Sequence, residues 1–286
     1  MIENTTKNSL FHDWDRKRKM AFWAGIAILV IIVLCTIWTW IIYNYDELIP
    51  ALKYTNNSSH FGQPVYARYW AVTYTFTWMS NIFLAFALIL YAIWPKNWIT
   101  QRMLFLATIY ITITMLIFWA LVFPSVFKGE PAQKIIVSTF VHFVTPIIAY
   151  VAFVKNRKEI EISKKVIWYS SIALFIYWLF ALVLFLVSIP YLNEVFKDTS
   201  KEWLNSPEGK EYYKYIRPYI YPFLDFSRPL FVKTDNNALK VLLNMAIVVI
   251  GFFIPPFLGY VWKWSCKLQY AVKNNKKIEI TQTQNS

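Results

Sequence analysis

Two side chains inside apolar stretches carry the chemistry this sequence could perform. Thr77 lies within Tyr74–Asn81, YTFTWMSN, and His142 within the apolar run at about 135–154. His142 is the one histidine of three that falls inside such a run. A threonine hydroxyl becomes a nucleophile when a base takes its proton, and an imidazole within hydrogen-bond reach can be that base. Thr73, Thr77, Ser80 and Asn81 stand at i, i+4, i+7 and i+8, which on a helix is one polar stripe. A polar stripe gains nothing from lipid, so it should face protein or a water-filled cavity. Amide groups such as Asn81 and Asn244 could donate to a developing oxyanion. The same residues also support a structural reading, because Thr bonds its own i−4 carbonyl and Asn joins helices in membranes.

The elements that would position these groups are membrane spans. The chain of 286 residues is 57% hydrophobic and 20% aromatic, with 16% charged residues and a mean hydropathy of +0.38. Soluble domains carry about 25% charged residues. Apolar runs fall at about 21–43, 69–94, 103–127, 135–154, 166–189 and 239–262, each near the length a bilayer requires. The runs are continuous, not alternating, which excludes a membrane β-barrel. The expected fold class is an all-α integral membrane protein, a bundle of six transmembrane helices at 21–262. A basic tail, 1–20, precedes it and a polar tail, 263–286, follows it. The first run is read as a retained span, because it is too long for a signal-peptide core. Pro95 and Pro190 are expected to end the second and fifth spans.

Charge orients the bundle. The tails with the 95–102 and 155–165 loops hold 17 Lys and Arg against 6 acids, and the opposite segments hold 12 against 10. Positive residues favour the cytoplasm, so both termini are expected there, in a cell membrane. The net charge of +13 is therefore topological, with membrane lipids and not nucleic acid as the partner. The long extracytoplasmic loop between helices 5 and 6, at 190–238, is rich in Trp, Tyr and Phe. It is expected to be an outer cap, with a short helix near Glu194–Leu204. Cys35 and Cys266 stand far apart and the histidines are scattered, so no disulfide, metal site or cofactor is expected.

Thr77 and His142 lie at matching depths, roughly 10–12 Å below the outer boundary at about 1.5 Å per residue. Asn244 is slightly shallower. Three helices can thus each place a polar group in the outer half of the bundle.

Three stretches taken in order resemble a known family. They are Phe76-Thr77-Trp78-Met79-Ser80-Asn81, His142-Phe143-Val144-Thr145-Pro146, and Tyr221-Pro222-Phe223-Leu224-Asp225 with Asn244 after it. On six spans, over roughly 65–262, the set is similar to bacterial relatives of the androgen-induced and androgen-dependent-TFPI-regulating membrane proteins. The glycine usual soon after the third motif is replaced by Phe226-Ser227-Arg228-Pro229. The resemblance implies an intramembrane hydrolase of fatty acyl esters, with Thr77 as nucleophile and His142 as base. Ser80, Asn81, Asn244 and Asp225 would then be pocket, oxyanion or orienting groups. A small-molecule or lipid transporter and a non-catalytic scaffold are the alternatives. Against transport, no acid or Lys/Arg stands in the interior of a span for ion coupling.

Overall fold

The structure, a computed structural model, describes residues 11–42, 73–126, 132–195, 206, 219–232 and 234–271. Among them are six helices long and apolar enough to cross a membrane. We label these α1 (Arg16–Ile42), α2 (Phe76–Ile93), α3 (Trp98–Ile117, continued by Phe118–Val122 and Phe123–Val126), α4 (Ala132–Thr139, Phe140–Val144 and Thr145–Asn156), α5 (Lys164–Val195) and α6 (Asn237–Cys266). Of the expected short helix near Glu194–Leu204, Glu194 and Val195 belong to α5 and the rest lies outside the described residues, as do Trp203, Tyr212, Tyr213 and Tyr215.

Helices α1 to α4 form a four-helix core, with α1 against α2 and α4, and α3 against α2 and α4. The α5–α6 pair packs on the α3 side. Buried Ile28, Leu84, Leu88, Phe105, Ile109 and Phe153 fill the centre. Facing outward, α5 and α6 leave Val187 69% and Phe257 66% exposed, an apolar surface of the kind suited to lipid.

Local chemistry sets the helix ends. Thr75 caps α2 by accepting from Trp78 N, and Pro95 lies just past its end as expected. Asn97 caps α3 and Asn236 caps α6 in the same way. Two expectations are corrected. The Arg16–Lys19 run is not a tail preceding α1 but its first turn, and Arg18 donates to the Ala92 and Ile93 carbonyls at the end of α2. Pro190 does not end α5, which runs on to Val195, since a proline removes one backbone bond from a helix of 32 residues.

Proline also shapes α3, α4 and α6. Pro124 and Pro146 each follow a π-helical turn, Phe118–Val122 and Phe140–Val144. The wider turn accommodates a ring that would press on the carbonyl four residues back. In α6, Pro256 leaves the Phe252 carbonyl without its helical donor, and Ser171 Oγ from α5 donates to it at 2.6 Å.

One end of the bundle is knitted together. Lys17 pairs with Glu159 at 3.2 Å, and Glu161 N donates to Gln101 Oε1 at 2.9 Å. A short parallel pair, β1 (Glu161–Ile162) and β2 (Gln269–Tyr270), joins the α4–α5 link to the chain after α6. These strands were not expected from the hydropathy.

Among the described glycines, Gly25 sits in the closest helix contact. A Cβ there would lie 2.7 Å from Ile89 Cγ1 and 2.8 Å from the Ala85 carbonyl oxygen. Gly25→Ala is therefore expected to lower stability by about 1–3 kcal/mol. Gly251→Ala would meet only Leu174 Cδ2 at 3.8 Å and should be neutral or stabilising by about 0.5–1 kcal/mol. Unfolding midpoints in detergent micelles compare the two.

Candidate functional site

The polar stripe of α2 does face protein. Thr77, Ser80 and Asn81 are buried, and each bonds across a helix interface or within its own turn. Ser80 Oγ lies 2.8 Å from Thr114 Oγ1 on α3. Asn81 Nδ2 donates to the Thr77 carbonyl at 2.8 Å and to the Val141 carbonyl on α4 at 3.1 Å. Asn81 Oδ1 accepts from Thr145 Oγ1 at 2.5 Å. One amide thus ties the backbone at Thr77 to the backbone next to His142.

The Val141 carbonyl is available because of the π-helical turn. In that turn Thr145 N donates to Phe140, five residues back. Val141 instead receives the Asn81 amide and the Thr145 hydroxyl, the latter at 3.1 Å.

His142 projects from the same turn. Its ring stacks on Phe118, with centroids 4.1 Å apart and planes at 6°. Phe118 opens the π-helical turn of α3, so the two irregular turns meet face to face. His142 Nδ1 is buried without a hydrogen-bond partner, and the Thr114 backbone carbonyl lies within reach of the ring. Among the described residues no hydrogen bond joins Thr77 to His142.

Thr77 Oγ1 has another neighbour, the Tyr221 hydroxyl at 3.3 Å, and the Thr77 N–H donates to the same oxygen at 3.3 Å. Tyr177 OH from α5 accepts from Phe76 N at 3.0 Å. Burial pushes the Tyr221 phenol above its ordinary pKa, and the Thr77 hydroxyl and N–H oppose that rise.

The remaining candidates bond elsewhere. Asp225 Oδ1 accepts from Ser227 N at 3.0 Å and Ser227 Oγ at 2.5 Å, closing a turn in the segment before α6. Asn244 Nδ2 donates to the Phe226 carbonyl and the Lys240 carbonyl, both at 3.0 Å. These bonds anchor the segment to α6 and do not reach His142. The described part of that segment packs Leu224, Phe223 and Phe226 with Phe76 of α2, Tyr177 and Trp178 of α5 and Ile247 of α6.

Sequence reasoning passed over Thr114, Thr145 and Tyr177. Pro124 and Pro146 were the available signal for the turns that seat Phe118 and His142. Nothing in hydropathy marks Thr114 as the partner of Ser80.

Comparison of the chain with known protein families, with curated proteins and with solved structures finds no match.

Asn81→Ala would take one of its two acceptors from the Thr145 hydroxyl and remove the Thr77–Val141 bridge. Stability is expected to fall by about 1–3 kcal/mol. Asn244→Ala, at a partly buried site, removes one strut between α6 and the segment before it and should cost about 1 kcal/mol or less. Thermal unfolding in micelles, monitored by far-ultraviolet circular dichroism, ranks the two.

Proposed function

We propose that the protein is an integral-membrane hydrolase of acyl esters, with Thr77 as nucleophile and His142 as general base. In this reading it is a relative of the family its three motifs resemble. Both termini face the cytoplasm, as the charge asymmetry requires, and the ester enters from the outer leaflet of a bacterial cell membrane.

The observation that carries the reading is the Asn81 bridge. It holds the Thr77 backbone beside the turn that bears His142, whose Nδ1 is buried with no partner. In the tautomer that carries its proton on Nε2, His142 presents Nδ1 as the lone-pair nitrogen. Catalytic hydrogen bonds commonly close only once substrate is bound.

In the first step Thr77 Oγ1 attacks the acyl carbon and its proton passes to His142. Collapse of the intermediate breaks the ester C–O bond, and the departing alcohol takes the proton from His142. Water then attacks the acyl-threonine and gives a proton to His142. That proton returns to Thr77 Oγ1 as the free acid leaves. Asn81 is a positioning residue in this scheme, since its amide is committed to holding two helices.

A second reading is a non-catalytic bundle, favoured by the full commitment of Asn81, Ser80 and Thr145 to one another. It predicts that Thr77→Ala and His142→Ala lower the unfolding midpoint and change no chemistry.

The test is labelling by a fluorophosphonate probe, with hydrolysis of long-chain and short-chain acyl esters by the purified full chain. Both variants are expected to lose labelling and at least about 10²-fold of the hydrolysis rate. A folded wild type that neither labels nor hydrolyses either ester would overturn the hydrolase reading.

A further inference from the structure

Tyr221 is a neighbour of Thr77 that the pairing with His142 leaves unused. It reaches the nucleophile from the chain between α5 and α6, and its phenolic oxygen lies 3.3 Å from both Thr77 Oγ1 and Thr77 N. Its ring is held in place by stacking on Phe223, with centroids 5.0 Å apart and planes at 12°. The Leu224 N–H donates to its carbonyl at 2.8 Å. Tyr177 on α5 places a second phenol on the Phe76 N–H at 3.0 Å and within hydrogen-bond reach of Tyr221. Two tyrosines from separate elements therefore converge where the nucleophile sits.

The two contacts of Tyr221 with Thr77 are longer than the usual values, about 2.7–2.8 Å for O–H···O and about 2.9–3.0 Å for N–H···O. Little is lost when such bonds are exchanged for better ones. An ester carbonyl attacked by Thr77 Oγ1 develops its negative oxygen beside the attacking atom. The Thr77 N–H and the Tyr221 phenol both lie beside that attacking atom. Donors to an oxyanion gain strength as its charge grows, whereas their bonds to each other do not.

We propose that Tyr221 is a catalytic residue of the ester-hydrolysing site, donating its O–H to the tetrahedral oxyanion alongside the Thr77 N–H. Tyr177 is a positioning residue that steadies the Tyr221 oxygen. This rests on the hydrolase reading of Thr77. Tyr221 gives up no proton at any step; the nucleophile's proton travels through His142 to the leaving alcohol, and the phenol serves as a donor throughout. The segment before α6 thereby completes the site and is more than a cover for it.

The experiment is steady-state hydrolysis of acyl p-nitrophenyl esters by the full chain in micelles, with wild type, Tyr221→Phe and Tyr177→Phe. Tyr221→Phe is expected to lower kcat by about 10²–10³-fold with KM nearly unchanged. Tyr177→Phe should lower kcat less. The fluorophosphonate labelling rate should fall in the same order, because its phosphoryl oxygen uses the same donors. Fluorotyrosine at position 221 preserves the packing and covers the case of a phenylalanine variant that does not fold. It should retain activity at neutral pH and lose it at a lower alkaline pH than wild type, as the more acidic phenol ionises. Wild-type kcat in Tyr221→Phe, or an unshifted alkaline limb with fluorotyrosine, overturns the role of Tyr221 and leaves the hydrolase reading standing. An inert wild type overturns both.

Discussion

A bilayer offers no hydrogen bonds to a backbone, so every carbonyl and N–H within it must be satisfied by the protein itself. The six helices meet that demand over most of their length. It becomes acute where proline interrupts the ladder, and two of the interhelical polar contacts sit at such places. Ser171 donates to the carbonyl vacated by Pro256, and Asn81 donates to the Val141 carbonyl in the turn before Pro146. The polar residues of this apolar chain are therefore struts between helices before they are anything else.

Asn81 illustrates how such a strut can also make a site. Its two amide protons and its carbonyl oxygen are all engaged, by Thr77, Val141 and Thr145. A fully satisfied buried amide fixes geometry well, because any displacement breaks several bonds at once. What it fixes here is the level of α2 against α4, and with it the position of Thr77 relative to the His142 turn. The facing π-helical turns add orientation, since the stacked Phe118 and His142 rings lock the imidazole plane. Thr112 is a second node of this kind. It accepts from Trp262 Nε1 at 2.9 Å and Tyr150 OH at 3.1 Å, and so joins α3, α4 and α6.

The segment before α6 joins the site through aromatic packing. Leu224, Phe223 and Phe226 seat it on α5 and α6, and the Asn244 amide holds its backbone at Phe226. With those contacts made, the Tyr221 ring has little freedom, and its hydroxyl falls on the first turn of α2. Asp225, the acid that ends this motif, is turned to Ser227, so its carboxylate is not directed at Thr77.

The hydrophobic pattern alone determined the six long apolar helices, because a bilayer sets their length and a continuous apolar run leaves few other folds. The burial of the Thr77, Ser80 and Asn81 stripe followed equally from helical period and the cost of polar groups in lipid. The partners of that stripe were decided only by tertiary structure. Matching depth put His142 on a level with Thr77. Depth along an axis says nothing about rotation around it, and the hydroxyl that Thr77 Oγ1 meets belongs to Tyr221 from a distant part of the chain. The two π-helical turns, the extension of α5 past Pro190 and the β1–β2 pair were also beyond the pattern. Each depends on which neighbouring helix supplies a donor, a ring or an edge at that point. Such contacts join residues up to 150 positions apart, as Trp262 and Thr112 do, and no local spacing encodes them.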